Sequence, residues 1–118
     1  MPGQAEWEWY VIADVFRLSE GACRLLGADP AAAPRSLEDV LRFVHVGDRP
    51  LLRRVFSRSV AEAPRFAVVH RLPGSDGVPR VLELRGEAEL DPRTRDVRVA
   101  GSWSVPPGPA SGTPEADA

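Results

Sequence analysis

Three stretches in the second half of this chain alternate apolar and polar residues with a period of two, and this rhythm limits the possible folds most. Phe66, Val68, His70 and Leu72 share one face, with Ala67, Val69 and Arg71 on the other. Leu82, Leu84, Gly86, Ala88 and Leu90 alternate with Glu83, Arg85, Glu87 and Glu89. Val97, Val99, Gly101, Trp103 and Val105 form a third row. Successive side chains of a strand point to opposite faces, so each row predicts a strand half-buried on one side. The turn formers Gly74-Ser75-Asp76-Gly77 and Asp91-Pro92-Arg93-Thr94 separate them. Short links of this kind join antiparallel neighbours.

Residues 7–18 (WEWYVIADVFRL) are rich in aromatic and β-branched types and favour strand. Trp7, Trp9, Val11 and Ala13 lie on one face and Tyr10, Ile12 and Phe16 on the other, with Asp14 marking a bend between two short strands. Two tryptophans on one face near the chain start point to an interface with a second copy, or else to packing under the sheet edge. Between the two strand regions the pattern turns helical. Ser19 is placed to cap a helix over 20–26, with Gly27 as its C′ residue. Pro30 and Pro34 flank an Ala-rich loop. Ser36 starts the next helix, with Asp39 completing a capping box and Leu37, Val40, Leu41 and Val44 on one face. Asp48 is the expected cap of a longer helix with Pro50 in its first turn. Its buried stripe is Leu52, Val55, Phe56 and Val60; Arg53, Arg54 and Arg58 face water. The resulting fold class is α+β: a five-stranded antiparallel sheet with short helices packed on one face. We expect a polar leader over 1–6, one domain over 7–105, and a disordered Pro/Gly/Ala-rich tail over 106–118.

Composition narrows the function. A formal net charge of -2 gives no excess of cations to neutralise phosphates, so nucleic acid is not an expected partner. No apolar run approaches membrane-spanning length and no signal peptide is visible, so we expect a cytoplasmic protein without membrane contact. All 15 basic residues are Arg and Asn is absent, which reads as GC-rich coding in a bacterium. The single cysteine, Cys23, excludes an internal disulfide, and no Cys/His cluster offers a metal site. Nucleophile elbows, phosphate-cradling loops and supported Ser/His/Asp sets are missing, so no enzyme is expected.

The helix ending Leu25-Leu26-Gly27, the "HxxDR" of His45, Asp48 and Arg49, the strand ending His70-Arg71-Leu72, the Asp76-Gly77 turn and the last strand with Gly101 come in a characteristic order. Together with the N-terminal Trp9, they resemble the PAS family of small sensory and interaction domains over 7–105. The resemblance implies a signal-transduction domain that binds a small ligand, a protein partner, or both, and signals by a conformational shift. Its partner would be itself, as a homodimer, or a signalling protein. Many members leave the last strand through Asp-Ile-Thr into a helix that leads to an effector. Here those places hold Val105, Pro106 and Pro107, and two prolines cannot start that helix in register. Cys23-Arg24-Leu25-Leu26 is similar to the Cys-Arg-Phe-Leu of flavin photosensors, but in the wrong place. The chain also lacks the Asn and Gln that hold the flavin ring, its only Gln being Gln4. Flavin is therefore disfavoured, and haem, for which His45 or His70 would have to serve as ligand, is disfavoured too, so no cofactor is expected.

A ligand of that family type would be small and apolar and would sit between sheet and long helix, among Val55, Phe56, Phe66, Val68, His70, Leu82, Leu84 and Trp103. His70 is the polar member of that set, able to anchor a ligand or to be satisfied within the core. His45 is read as a hydrogen-bonding group at the helix junction, with Asp48 as cap and Arg49 as surface charge. The interface candidates are Trp7 and Trp9. Two alternatives remain open: a small enzyme or carrier using His70 in the same cavity, and a dimerisation or adaptor module whose core is filled.

Overall fold

The computed structural model describes residues 5–74 and 76–106. Strands β1 (Glu6–Tyr10) and β2 (Val15–Leu18) lead into helix α1 (Glu20–Leu26), a 3₁₀ turn (Pro30–Ala32), helix α2 (Leu37–Leu41), a second 3₁₀ turn (Val46–Asp48) and helix α3 (Arg49–Ala61). Strands β3 (Arg65–Leu72), β4 (Arg80–Leu90) and β5 (Val97–Ser104) follow and end the order among the described residues. The sheet order is β2-β1-β5-β4-β3 and every neighbouring pair is antiparallel. The expected α+β architecture is therefore present.

Local chemistry explains most element ends. Asp14 sits at φ 55 in the bend between β1 and β2. Its Oδ1 accepts from Trp9 Nε1 at 2.9 Å and from Leu37 N at 3.2 Å, tying the bend to α2. Ser19 Oγ accepts from Ala22 N, and α1 closes on Gly27 at φ 80. Ser36 Oγ accepts from Asp39 N at 3.1 Å. Helix α2 stops at Leu41, short of the apolar Val44 that its pattern reached, because the chain turns there to seat the second 3₁₀ segment.

Four expectations need correction. Strand β1 begins inside the expected leader: Glu6 N donates to Ser19 Oγ at 2.9 Å, and the buried Ala5 accepts from Trp103 N at 2.8 Å. In α3 the buried stripe is Leu52, Phe56 and Ser59, with Val55 half-buried, while Val60 is exposed. The stripe rotates past Val60 because Ser59 can be buried, its Oγ donating to Phe56 O at 2.6 Å. Val105 lies beyond β5 and is exposed. Asp48 does not cap α3 with its side chain; its carboxylate has another partner, described below. Ser75, residues 1–4 of the expected leader and 107–118 of the expected tail lie outside the described residues.

Candidate functional site

The space between α3 and the inner face of the sheet is where a ligand would go. The structure brings the eight expected residues to it: Phe56, His70, Leu82, Leu84 and Trp103 are buried, and Val55, Phe66 and Val68 are half-buried. Side chains outside that set fill the same space. Phe56 projects from α3 into a ring of aromatics, with Trp7, Trp9, Phe16 and Phe66 at centroid distances of 5.4, 5.4, 5.8 and 5.6 Å. All four contacts are edge-on, an arrangement the ring quadrupoles favour. Trp7 also lies 6.0 Å from Trp103.

Trp7 and Trp9 are thus core residues, 3% and 7% exposed, and the expectation of an outward pair of interface tryptophans is corrected. A period-two pattern says that they share a face, not which face. The outer face carries Glu8, Arg85 and Arg98 instead, with Arg98 Nε on Glu8 Oε1 at 2.7 Å. Gly86 makes room for the large rings, and Gly101 for the close approach of the β4 backbone. Gly86 and Gly101 face each other across β4 and β5, and Gly101 also pairs with Trp7. A Cβ on Gly86 would lie 2.5 Å from Phe66 Cζ and 2.8 Å from Trp7 Cη2; one on Gly101 would meet Arg85 O at 1.8 Å. The sequence showed both glycines inside strand patterns, and such glycines mark close approach.

His70 is 1% exposed. Its Nε2 lies 2.9 Å from Trp103 Nε1, and its Nδ1 faces Arg71 O at 3.3 Å. An indole nitrogen can only donate, so Nε2 accepts and the ring proton sits on Nδ1. Burial pushes the pKa of His70 below the ordinary imidazole value, against the Arg71 carbonyl and the Asp48 charge, which pull it up. The imidazole is neutral and both its nitrogens are engaged.

The HxxDR segment works as a clasp on β3. Asp48 Oδ2 accepts from Arg71 N at 2.7 Å and from Arg71 Nε at 3.0 Å, while Oδ1 takes Arg71 NH2 at 2.8 Å. The Arg71 hydrogen bond is the main cause that lowers the Asp48 pKa to about 2, against the desolvation that raises it. His45 N donates to Arg71 O at 2.9 Å, and His45 Nδ1 accepts from Gly47 N at 3.0 Å. Arg49 is half-buried rather than a plain surface charge: its Nε donates to Val44 O at 3.1 Å and its NH2 to Arg42 O at 3.3 Å. These bonds satisfy carbonyls left over at the end of α2.

Cys23 is buried under α1, and burial, followed by the Asp29 and Glu20 charges, pushes its thiol pKa up. A thiol held protonated is a poor nucleophile. Among the described residues no group of His, Cys, Asp and Glu comes together to hold a metal ion. Clefts open at the surface. One of about 450 Å³ lies between β2 and Pro30–Arg35. Another of about 190 Å³ lies between α3 and β3, lined by Leu51, Arg54, Val55, Arg58, Ala63 and Phe66. No helix among the described residues is long and apolar enough to cross a membrane.

A family model described as "PAS fold" matches residues 15–102. Among solved structures, the N-terminal domain of a diguanylate cyclase with PAS/PAC sensor from Marinobacter aquaeolei superposes with a TM-score of 0.70 at 16% identity, covering 86% of this chain and 93% of that one. A sensory box histidine kinase/response regulator from Burkholderia thailandensis gives 0.65 at 18% identity, covering 86% and 76%. The PAS-B domain of Drosophila melanogaster Cycle with bound ethylene glycol gives 0.64 at 16% identity, covering 86% and 98%. At these identities the likeness is one of fold. No curated protein matches the sequence.

Proposed function

The chain belongs to the PAS family, and from that premise we propose that it is a signal-transduction domain acting through a protein contact, not through an apolar molecule held in its core. One observation carries this reading: the space under α3 is occupied by the chain's own rings, with Phe56 packed among Trp7, Trp9, Phe16 and Phe66. A ligand would have to displace aromatic side chains packed at interior density. His70 has no nitrogen left for a ligand or for proton exchange with a substrate, which supports a non-catalytic, structural role. Signalling then consists of a population shift: a partner that binds two packings of the sheet and α3 unequally biases one over the other.

Native mass spectrometry with an absorption spectrum of the freshly purified protein tests the reading. We expect the bare mass of the chain and no band in the visible. A stoichiometric small-molecule adduct, or a coloured protein, overturns it in favour of ligand sensing. His70→Ala adds a second check, with lower thermal stability expected and no bound species lost.

A further inference from the structure

We propose that the open edge of β3 together with the cleft beside it forms a docking site for an extended acidic peptide, added to the sheet as a sixth strand. The inference rests on the partner-contact reading above and names where and what the partner is.

Strand β3 is a sheet edge. Arg71 turns its N–H and C=O away from β4, since they bond Asp48 Oδ2 and His45 N. Backbone groups alternate along a strand, so Arg65, Ala67 and Val69 also present theirs outward. Among the described residues none of these outward groups meets a hydrogen-bond partner. The HxxDR clasp therefore closes only one end of the edge and leaves a run of donors and acceptors at the other. Such an edge is a template for a further strand.

The cleft of about 190 Å³ lies against this open run, with Leu51, Val55, Ala63 and Phe66 in its lining and Arg54 and Arg58 beside them. An added strand points alternate side chains toward α3. An apolar side chain fits among Leu51, Val55 and Phe66, and carboxylates two residues away, on the same face of the added strand, meet the guanidinium groups. Arg54 has no carboxylate partner among the described residues, and Arg58 holds only a 3.4 Å contact with the exposed Glu62. A second copy fits less well: two β3 edges would pair through the open groups about Ala67, and β3 brings no carboxylate to Arg54 and Arg58. The site reaches the core, because Phe66 stands 5.6 Å from Phe56 and 6.4 Å from Trp7. A side chain seated on Phe66 thus presses on the rings that set the packing of α3 on the sheet.

The test uses the full chain and a synthetic nonapeptide Val-Ser-Glu-Ser-Val-Ser-Glu-Ser-Val, which sets Val and Glu on one face, followed by amide NMR and hydrogen exchange. Saturating peptide is expected to shift the Arg65–Val69 resonances and to slow exchange at Ala67 and Val69. A Lys-for-Glu peptide, Arg54→Glu and Ala67→Pro should each weaken binding about tenfold or more. Proline is tolerated where an edge N–H faces solvent, so Ala67→Pro should remain folded. If it does not fold, a peptide N-methylated along one edge removes the same ladder bonds from the other side. Equal binding by the Lys peptide, no perturbation at β3, or a dimer dissolved by Ala67→Pro each overturns the proposal. If the peptide fails while the native mass remains bare, the edge site falls and the partner reading stands. A bound small molecule removes the partner reading itself.

Discussion

His70 shows how one side chain ties a strand ladder to its surroundings. Its Nε2 accepts the Trp103 indole proton across β4, at 2.9 Å, so protonating that nitrogen would set two donors against each other. Burial already lowers its pKa in the folded state. The unfolded chain therefore takes up the proton first as pH falls, and stability is lost on that side. The contribution is complete above the ordinary imidazole value of 6.5 and declines as pH drops through it toward the lower folded value. One coupled proton gives a slope of at most about 1.4 kcal/mol per pH unit. We predict that urea unfolding shows lower stability at pH 5.5 than at pH 7.5, and that His70→Gln flattens part of this dependence. Identical slopes in the two proteins would mean that His70 does not titrate against folding.

At the scale of elements, the caps and strand rows were legible because their causes are local. The capping bonds of Ser19 and Ser36 reach three residues along the chain, Gly27 closes onto the turn before it, and alternation needs only the next side chain. What was hidden depends on distance along the chain. Asp48 reads as a helix cap, yet its carboxylate is taken by Arg71, 23 residues away, and nothing in local spacing announces that partner. Trp7 and Trp9 share a face, but only the closure of β5 onto β1 decides that it is the inner one. The clasp makes its own prediction. Asp48→Asn keeps the shape but loses the charge-assisted bonds, and should cost about 1–3 kcal/mol. The Arg71 amide, held at 2.7 Å in the native chain, should exchange faster. Because the Asp48 pKa is lowered to about 2, the wild-type advantage should hold above the ordinary 3.8 and vanish as pH falls through 2. An unchanged Arg71 exchange rate would remove the clasp from the argument.

For the whole molecule the decisive quantity is how completely the sheet and α3 fill the space between them. Elements that together form a PAS fold can enclose a cavity or close it, and the row pattern is the same in both cases. The difference lies in volume: Gly86 on β4 has no side chain, and the room it leaves is taken by Trp7 and Phe66, while Gly101 on β5 lets the β4 backbone come close. Phe56, fully buried, is the centre of that packing. Its removal should act at once on stability and on binding. Phe56→Ala is expected to cost about 3–5 kcal/mol, the loss typical of a large aromatic deleted from a core that cannot collapse around the gap. The same variant should gain a dry apolar hole able to take up benzene or xenon, as apolar cavities of ring size do. Denaturant unfolding with and without benzene reads both effects, with stabilisation by benzene in the variant and none in the wild type. A wild-type protein stabilised by benzene would already contain an open cavity, and signalling through a core ligand would then be the better account of this domain.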